Sequence, residues 1–458
     1  MAEQSITELG KKPVKTVLSL SVPAIAEQLL TSLAGLIDTA MVGSIGAAAT
    51  ASIAINISTI WLIDGFITAS SAGSMFLVAR SLGEGNKIMA KRITRQSITV
   101  AVILGLILSL ITLAVSGSLP YWLGAEKDVI PLAITYMRIY GFTFIFQAIA
   151  VTISSIFRAA GNTKTPFLIN AAANIANIIG NFLLIYPTRS VFGMSVFGAG
   201  LGVEGAALST LISKILAAIF LLIFIVRMNS PVKISIKGDY RVSISNLKKL
   251  LAVGIPVAAE RSTLSIGQVA LTGIVSRLGT VALAAHYLTN NIESLLYLPA
   301  YGFASTATAL VGQSLGADNY SLADKFAGLI LKINSIFILS ICVPMFIVSP
   351  FVLGLFSPDP NVISLGTITF RMTLVTEVFF TISVVASGIC RGAGDVKFSL
   401  WVSIIGMWVI RIGLAYVMAY PFGLGLIGIW IAVGIDIFIR GILFILRINS
   451  GKWKYIWR

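Results

Sequence analysis

The sequence contains one long unit twice, with the second copy 233 residues after the first. The matching landmarks are spread over the chain: Pro23 with Pro256, Glu27 with Glu260, Gly83 with Gly316, and FRAAGNTK (157–164) with CRGAGDVK (390–397). A solenoid would instead repeat every roughly 20 to 50 residues. The constant offset therefore predicts a fold made of two similar halves.

An insertion interrupts the match late in the first copy. Pro187 pairs with Pro421 at an offset of 234, whereas Gly202 pairs with Gly425 at 223, which leaves 11 extra residues in the first copy. The stretch TRSVFGMSVFGAG (188–200) accounts for this insertion. We predict that it forms a loop.

The two copies are made of membrane-spanning segments. Hydrophobic residues make up 57% of the 458 residues, charged residues only 11%, and the mean hydropathy is +0.95, far outside the range of soluble domains. Apolar runs of about 20 residues, enough to cross a bilayer as a helix, occur at 16–38, 47–79, 96–118, 130–157, 165–187, 203–226, 250–275, 281–310, 326–352, 362–389, 398–420 and 425–446. We predict an all-α integral membrane protein with twelve transmembrane helices.

The offset divides these twelve helices into two six-helix bundles. We place the N-terminal bundle at 1–226, a cytoplasmic linker at 227–249 and the C-terminal bundle at 250–458. Because six crossings return the chain to its starting face, both bundles have the same topology, and a pseudo-twofold axis along the membrane normal should relate them. Two such bundles around a central cleft are typical of transporters that work by alternating access.

The basic residues indicate the orientation in the membrane. The net charge is +15, and the basic residues are concentrated at the N-terminus, in alternate loops and at the C-terminus, for example Lys11, Lys15, Arg80, Lys87, Arg92, Arg158, Lys164, Arg227, Lys248, Lys325, Arg391, Lys397, Arg447 and Lys454. Basic loops stay in the cytoplasm. We therefore predict a multi-pass protein of the cell membrane with both termini cytoplasmic, and no binding of nucleic acid.

Several classes of protein lack the residues that they would need here. Cys342 and Cys390 lie in different apolar spans and offer neither a disulfide framework nor a metal site. The single histidine, His286, is too few for a histidine-based membrane enzyme, and no nucleotide-binding P-loop motif occurs. We expect a protein that is not an enzyme and that has no cofactor.

The motifs in both halves identify a family. The pattern around Pro23–Gly46, the stretch LVGQSLGA (310–317) and the loops RAAGNTK (158–164) and RGAGDVK (391–397) resemble the multidrug and toxic compound extrusion (MATE) transporters, in particular the bacterial type. The resemblance covers the whole chain. It implies a secondary antiporter that exports organic compounds, often cationic and amphipathic, in exchange for sodium ions or protons.

Asp38 is the first candidate for ion coupling. An ionisable group in a membrane span is costly, so each one is a functional candidate. The repeat equivalent of Asp38 is Leu271, so packing of the repeated unit does not require an acid there. The resemblance implies that this position carries the coupling-ion carboxylate. The alternative is a carboxylate that caps a neighbouring helix.

Three amides form the expected partners of Asp38. Asn174, Asn177 and Asn181 are three and four residues apart, which places them on one face of a helix. If the coupling ion is sodium, Asp38, Asn177 and Asn181 are the predicted metal ligands; if it is a proton, the amides hydrogen-bond to the carboxyl group. Many bacterial relatives carry an aspartate where this chain has Asn181. The alternative is that the amides only hold helices together.

Three more acids are candidates for cation coupling. Glu27 and Glu260 are repeat equivalents that each follow a proline by four residues. Each either forms a station on an ion path or is a structural carboxylate bonded at a helix discontinuity. Glu377 lies on the tenth span, where some MATE proteins carry an ion-binding acid about one turn further on, at the position of Phe380.

Four residues are candidates for binding the cargo. Trp61 and Asp64 lie one helical turn apart, as do Glu293 and Tyr297. An acid beside an aromatic ring suits an organic cation through charge and cation–π contact. The alternative for both acids is a hydrogen-bonding role in the interior.

Two further groups are predicted to be structural. Asp436 and Arg411 lie on adjacent spans and should form an ion pair, since a lone arginine would be costly in the membrane. His286 begins the eighth span and is expected to make a structural hydrogen bond rather than relay protons.

The remaining alternative is a flippase for a lipid-linked substrate on the same superfamily fold. Such a protein should hold pyrophosphate with Arg or Lys, whereas acids outnumber basic residues within these spans, which favours cationic cargo. The expected partners are small organic molecules and membrane lipids, the expected state is a monomer, and the coupling ion is either H+ or Na+.

Overall fold

The computed structural model describes residues 10–191 and 193–457; residues 1–9, where the predicted N-terminal bundle begins, lie outside the described residues. The helices are α1 Pro13–Gly43, α2 Ala47–Gly83, α3 Lys87–Val115, α4 Leu119–Trp122, α5 Val129–Gly141, α6 Thr143–Ala159, α7 Lys164–Leu184, α8 Val203–Arg227, α9 Ile244–Ser276, α10 Thr280–Gly316, α11 Tyr320–Gly354, α12 Pro360–Ala393, α13 Val396–Ile404, α14 Gly413–Ala419 and α15 Gly425–Asn449. A π-helical segment, Ile405–Ile412, joins α13 to α14, and a 3₁₀ turn, Lys452–Tyr455, follows α15.

These helices supply twelve spans. Within the described residues, ten helices are long and apolar enough to cross a membrane, with α13, the π segment and α14 counted as one. The pair α5 and α6, bent by 44° at its junction, makes an eleventh. The twelfth is α9, which is 33 residues long and occupies the position of α1 in the second repeat, but carries Lys248, Lys249, Glu260 and Arg261. Each repeat thus contains six spans, as predicted.

The insertion in the first repeat is a β-hairpin, so the prediction of a loop is corrected. The strands β1 (Pro187–Val191) and β2 (Met194–Ala199) pair antiparallel, with Ser190 opposite Ser195. Gly193 lies in the turn with a φ of +80°, a conformation that glycine adopts without strain. The strand residues Thr188, Val196 and Phe197 are of types that favour strands.

The chain divides into two compact units, and the division runs through α1 and α9. The first unit is Ala26–Gly254; the second contains the described residues before position 26 together with those from Ile255 onward. The predicted bundles at 1–226 and 250–458 therefore differ from the compact units, because the beginning of each repeat's first helix packs with the other repeat.

Close contacts at the beginnings of α1 and α9 explain why each of them packs with the other repeat. In the second unit, the Ser21 hydroxyl of α1 donates to Thr306 Oγ1 of α10 at 3.1 Å, and Val17 of α1 belongs to the same buried cluster as Phe303. In the first unit, Gly73 of α2 lies so close to α9 that a Cβ there would come 2.6 Å from the Leu250 carbonyl oxygen. Small residues allow this close helix approach.

In the second unit, α10 and α12 run parallel in a fixed register. The hydroxyls of Thr289 and Thr369 are hydrogen-bonded at 2.9 Å, and the Thr308 hydroxyl donates to the Gly388 carbonyl at 2.8 Å. Both contacts join residues that are 80 positions apart. The same 80-residue spacing therefore determines which residues of α10 and α12 face each other along the stretch between these two hydrogen bonds.

The close packing of α10 and α12 leads to a stability prediction. A Cβ at Gly392 would lie 2.7 Å from the Thr308 carbonyl oxygen, so Gly392→Val should lower the free energy of unfolding by about 1–3 kcal/mol through overpacking. The matched control is Gly328→Val in α11, where nothing lies within 4 Å of an added Cβ. Unfolding of the purified variants in detergent measures the effect; equal stability of the two variants would contradict it.

Candidate functional site

The first unit brings Asp38 and Asn181 together. The side-chain amide of Asn181 on α7 donates to Asp38 Oδ1 on α1 at 2.5 Å. Asn181 is fully buried, and its own Oδ1 has no hydrogen-bond partner among the described residues. A half-buried carboxylate and an unpartnered buried amide oxygen thus meet between two spans, where a proton or a small cation would be stabilised.

The other two amides of the predicted stripe face elsewhere. Asn177 donates to the hydroxyls of Ser209 and Thr210 on α8, both at 3.3 Å, while Asn174 donates to Thr31 at 3.3 Å. The predicted convergence of all three amides on Asp38 is therefore corrected, because α7 directs Asn177 against α8. Within the described residues, no group of three or more His, Cys, Asp or Glu residues is arranged for a metal ion.

Two tyrosines that the sequence analysis missed interact electrostatically with Asp38. Tyr136 is within electrostatic range of Asp38, and Tyr140 is within range of both Asp38 and Asp64. Their rings stack with centroids 5.6 Å apart. The four-residue spacing in ITYMRIYG predicts one helical face, but only the fold shows that this face lies within electrostatic range of the acids.

Asp64 has two polar partners in the first unit. Gln147 on α6 donates to Asp64 Oδ1 at 2.7 Å, and the ammonium group of Lys214 on α8 attracts the carboxylate electrostatically. Trp61 is 64% exposed. Tyr140 is a further aromatic residue within electrostatic range of Asp64, and the pairing of Trp61 with Asp64 stays a prediction.

Glu27 and Glu260 each form an ion pair with the arginine of the repeated Arg-x-x-Gly loop. Glu27 accepts from Arg158 at 3.1 Å and from Asn170 at 2.7 Å. In the second unit, Glu260 lies 3.7 Å from Arg391. Because the 233-residue offset relates the two pairs, the same ion pair occurs once in each repeat. This geometry favours the structural alternative for both acids.

The second unit holds a pair of buried acids, Glu293 on α10 and Glu377 on α12. Residues 80 positions apart lie side by side on α10 and α12, so Tyr297 is level with Glu377. Glu293 lies one turn before Tyr297 on α10. Glu377 is fully buried, and both its carboxyl oxygens lack a hydrogen-bond partner among the described residues. The two carboxyls interact electrostatically. Residues predicted for coupling and for cargo thus belong to one cluster.

Aromatic rings complete this cluster. The Tyr297 ring lies 5.2 Å from the ring of Phe380 and 5.8 Å from that of Tyr301. Phe380 occupies the position at which the resemblance implies an acid in some MATE proteins. In this chain the position carries an apolar ring that packs against Tyr297. Tyr297 thus lies against two further aromatic rings in this cluster.

The predicted ion pair between Asp436 and Arg411 is present and includes a third member. Arg411 Nε donates to Asp436 Oδ2 at 2.7 Å, and Arg440, one turn after Asp436 on α15, donates to both oxygens of the same carboxylate. Asp436 is fully buried. Arg411 lies in the π-helical segment, and a local change of helix type of this kind is frequent at functional sites.

His286 has a structural environment. Its Nε2 is 3.0 Å from the Asn290 amide one turn later, and its ring packs 5.5 Å from Trp430. The histidine is 3% exposed. These contacts agree with the predicted structural hydrogen bond.

Comparison with known proteins shows similarity over nearly the whole chain. The MatE family model matches residues 23–183 and 256–417, one segment in each repeat. "Probable multidrug resistance protein NorM" of Thermotoga maritima is 27% identical over 456 residues, covering 99% of this chain and 95% of the relative. "Uncharacterized transporter YisQ" of Bacillus subtilis is 28% identical over 449 residues, covering 98% and 97%.

The fold is similar to that of solved transporters. A structure of a multidrug resistance MATE family transporter of the MOP superfamily, in an outward-facing conformation, matches with a TM-score of 0.90 at 23% identity and covers 98% of this chain and 99% of its own. A MATE structure in complex with MaL6 matches with a TM-score of 0.88 at 24% identity, covering 96% and 97%. The predicted all-α membrane fold is confirmed.

Proposed function

The chain belongs to the MatE family, and we propose that it works as a secondary antiporter that exports amphipathic organic cations in exchange for protons or sodium ions. Membership in this family of multidrug resistance transporters confirms the resemblance seen in the motifs and makes the protein a transporter rather than an enzyme. The exchange mechanism, the coupling ion and the charge of the cargo are proposals.

The observation that carries the proposal is the contact between Asp38 and Asn181. A carboxylate within a membrane span is costly unless it is neutralised or bonded. Here one amide N–H stabilises the charged form at 2.5 Å, while burial opposes it. Such a group can alternate between a protonated and an ionised state as its access to water changes, which is what ion coupling requires.

The positions of the amides favour a proton over sodium as the coupling ion. A dehydrated sodium ion needs several oxygen ligands, whereas a proton needs a single carboxyl group. Asn177 is bonded to Ser209 and Thr210 on α8, so the amide is engaged away from Asp38. We therefore expect Asp38 to bind a proton, with Asn181 as its hydrogen-bond donor.

Transport into liposomes tests the proposal. Purified protein is reconstituted, and ethidium movement is followed while a proton gradient and a sodium gradient are imposed separately. Ethidium movement driven by the proton gradient, and unaffected by the sodium gradient, is the expected result. Movement driven by sodium alone would assign sodium as the coupling ion, and movement driven by neither gradient would contradict antiport.

The acid pair of the second unit is proposed to recognise the positive charge of the cargo. An amphipathic cation loses water on entering a buried site, so a partly dehydrated carboxylate attracts it strongly. Glu293 and Glu377 lie beside the rings of Tyr297 and Phe380, and aromatic faces also attract cations. Protonation of one acid would weaken this attraction and release the cargo.

Neutralising either acid should therefore discriminate between cargo types. Glu293→Gln or Glu377→Gln is expected to weaken transport of ethidium by about 5- to 150-fold, which corresponds to roughly 1–3 kcal/mol of coupling, with a smaller effect on a neutral compound. Asp324→Asn, a partly exposed acid of the same unit, is the control. Equal losses for the charged and neutral compounds would show that these acids do not sense charge.

The orientation and assembly are proposed from the sequence. Basic residues are concentrated near both termini and in alternate loops between the spans, which supports termini on the cytoplasmic side of the cell membrane. We expect the protein to be a monomer. The second candidate function is a flippase for a lipid-linked substrate. Gradient-driven movement of water-soluble ethidium would exclude the flippase, because a flippase would not carry a soluble dye.

A further inference from the structure

Arg189 of the β-hairpin covers two aromatic rings at the end of α7. Its guanidinium carbon lies 4.3 Å from the centre of the Phe182 ring and 3.8 Å from that of the Tyr186 ring. A guanidinium group is attracted to an aromatic face within about 6 Å of the ring centre. One terminal nitrogen of Arg189 is buried and has no hydrogen-bond partner among the described residues. The contacts with the two rings therefore hold this side chain in place.

The hairpin that carries this arginine is itself fixed to the end of α7. The backbone N–H groups of Gly200, Leu201 and Gly202 donate to the carbonyls of residues 184–186, at distances of 2.9 to 3.0 Å. Carbonyls at the end of a helix need donors from outside that helix. The hairpin supplies these donors, so the arginine is held over the rings by a backbone that is bonded to the same helix.

Tyr186, one of the covered rings, connects α7 to α1. Its hydroxyl donates to the carbonyl of Met41 at 3.1 Å, and Met41 lies three residues after Asp38 on α1. Tyr186 lies five residues after Asn181, so this contact is about one helical turn beyond the hydrogen bond between the amide and the carboxylate. Phe182, the other covered ring, directly follows Asn181. The two rings under the arginine therefore flank the amide that donates to Asp38.

The second repeat has the same aromatic pair without an arginine above it. Tyr416 and Tyr420 occupy the positions of the two covered rings, at an offset of 234 residues. The Tyr420 hydroxyl donates to the carbonyl of Ile274 at 2.9 Å, which repeats the contact between α7 and α1. In the second repeat, which lacks the hairpin, these rings line an open cavity of about 240 Å³. The counterpart of Asp38 in this repeat is Leu271.

The tyrosine contact between the first and fifth spans occurs in both repeats, so it belongs to the shared fold. The covering arginine occurs only in the repeat that has the acid. We propose that Arg189 is a positioning residue for Asp38. Its stack on the two rings holds the ends of α1 and α7 together, which keeps the Asn181 amide on the carboxylate. This inference rests on the proposed role of Asp38 as the proton site.

Infrared difference spectra of the purified protein between neutral and acidic pH test this role. The band of the protonated Asp38 carboxyl group is the one that Asp38→Asn lacks, and its frequency depends on the hydrogen bonds to the carboxyl group. Asn181→Leu calibrates the shift that follows loss of the amide. We expect Arg189→Gln to move the band in the same direction. It should add no further shift in the Asn181→Leu variant, because both residues act through one hydrogen bond.

An unchanged band in Arg189→Gln, or a further shift in the double variant, would overturn the proposal. A residue that only stabilised the hairpin would not move the band of Asp38. Size-exclusion profiles of the purified variants establish that each one is folded. If Arg189→Gln does not fold, Tyr186→Phe provides the test, because it keeps the ring and loses the hydroxyl that reaches α1. The band should move in Tyr186→Phe, and an unchanged band there would contradict the role of the stack.

Matched variants separate the stack from the rest of the hairpin and from charge alone. Thr188→Val removes a hydroxyl that bonds to Gly198 within the hairpin, at 3.2 Å. Arg277→Gln removes an exposed arginine beside the uncovered rings of the second unit. Both variants should leave the band of Asp38 in place. A shift in either variant as large as that in Arg189→Gln would contradict the assignment.

Transport measures the consequence for coupling. Proton-driven ethidium movement in liposomes should fall about 2- to 10-fold in Arg189→Gln, the effect of one weakened hydrogen bond, while Arg277→Gln should match the wild type. Wild-type transport by Arg189→Gln would contradict a role in coupling. The infrared test needs neither cargo nor a gradient, so the two proposals can fail separately. Wild-type protein that moves no ethidium would contradict antiport, whereas the band position decides the role of Arg189.

Discussion

Asp38→Asn is expected to abolish gradient-driven export while the protein remains folded. The substitution removes the one group of this pair that can exchange a proton, so the ion can no longer be coupled to the cargo. The introduced amide keeps an oxygen that can accept from Asn181, whose N–H now donates to the carboxylate at 2.5 Å. Ethidium movement in liposomes should fall to the rate of protein-free vesicles.

The control for this experiment is Asp128→Asn, which removes an exposed carboxylate of the same unit. It should transport at the wild-type rate. Size-exclusion profiles and thermal unfolding of the purified Asp38→Asn variant should match those of the wild type, because the hydrogen bond survives. Wild-type transport by the Asp38→Asn variant would assign Asp38 a structural role and would remove the main support for the proposed mechanism.

Asp436→Asn is expected to have the largest effect on stability. Asp436 is fully buried and accepts hydrogen bonds from Arg411 and Arg440. Without its charge the two guanidinium groups would lose the carboxylate that both of them bond inside the second unit. Removing one partner of a buried ion pair costs about 3–5 kcal/mol, and here one carboxylate serves two arginines.

Denaturation of the purified variant in mixed micelles with increasing dodecyl sulfate measures this loss. Asp324→Asn is the matched control, because the pair between Asp324 and Lys454 has its carboxylate about half exposed. Exposed pairs contribute roughly 0–1 kcal/mol, so the control should unfold nearly like the wild type. Similar stability of the Asp436→Asn and Asp324→Asn variants would show that the arginines find other partners.

The repeat in the sequence predicted more than the number of spans. Because Glu27 and Arg158 recur 233 residues later as Glu260 and Arg391, one ion pair found in the first unit implies its counterpart in the second. The same reasoning distinguishes Asp38 from the repeated acids, because its counterpart in the second repeat is Leu271. The sequence could identify these groups because a repeated fold must preserve the contacts that hold each copy together.

Other features depended on how helices pack, and periodicity could not reveal them. The stripe of Asn174, Asn177 and Asn181 was correctly placed on one helix, yet Asn177 bonds to α8 while Asn181 reaches Asp38. A stripe about 100° wide can contact two neighbours, and sequence spacing does not say which neighbour each residue meets.

The sequence by itself determined the membrane class, the twelve spans and the family, because hydropathy, repeat offset and motifs are properties read along one chain. Only the tertiary structure decided that the beginnings of α1 and α9 exchange between units and that Glu293 and Glu377 form one cluster. These features join residues that are distant in sequence. They arise from the register and close approach of particular helices, which side-chain packing determines and which hydropathy does not encode.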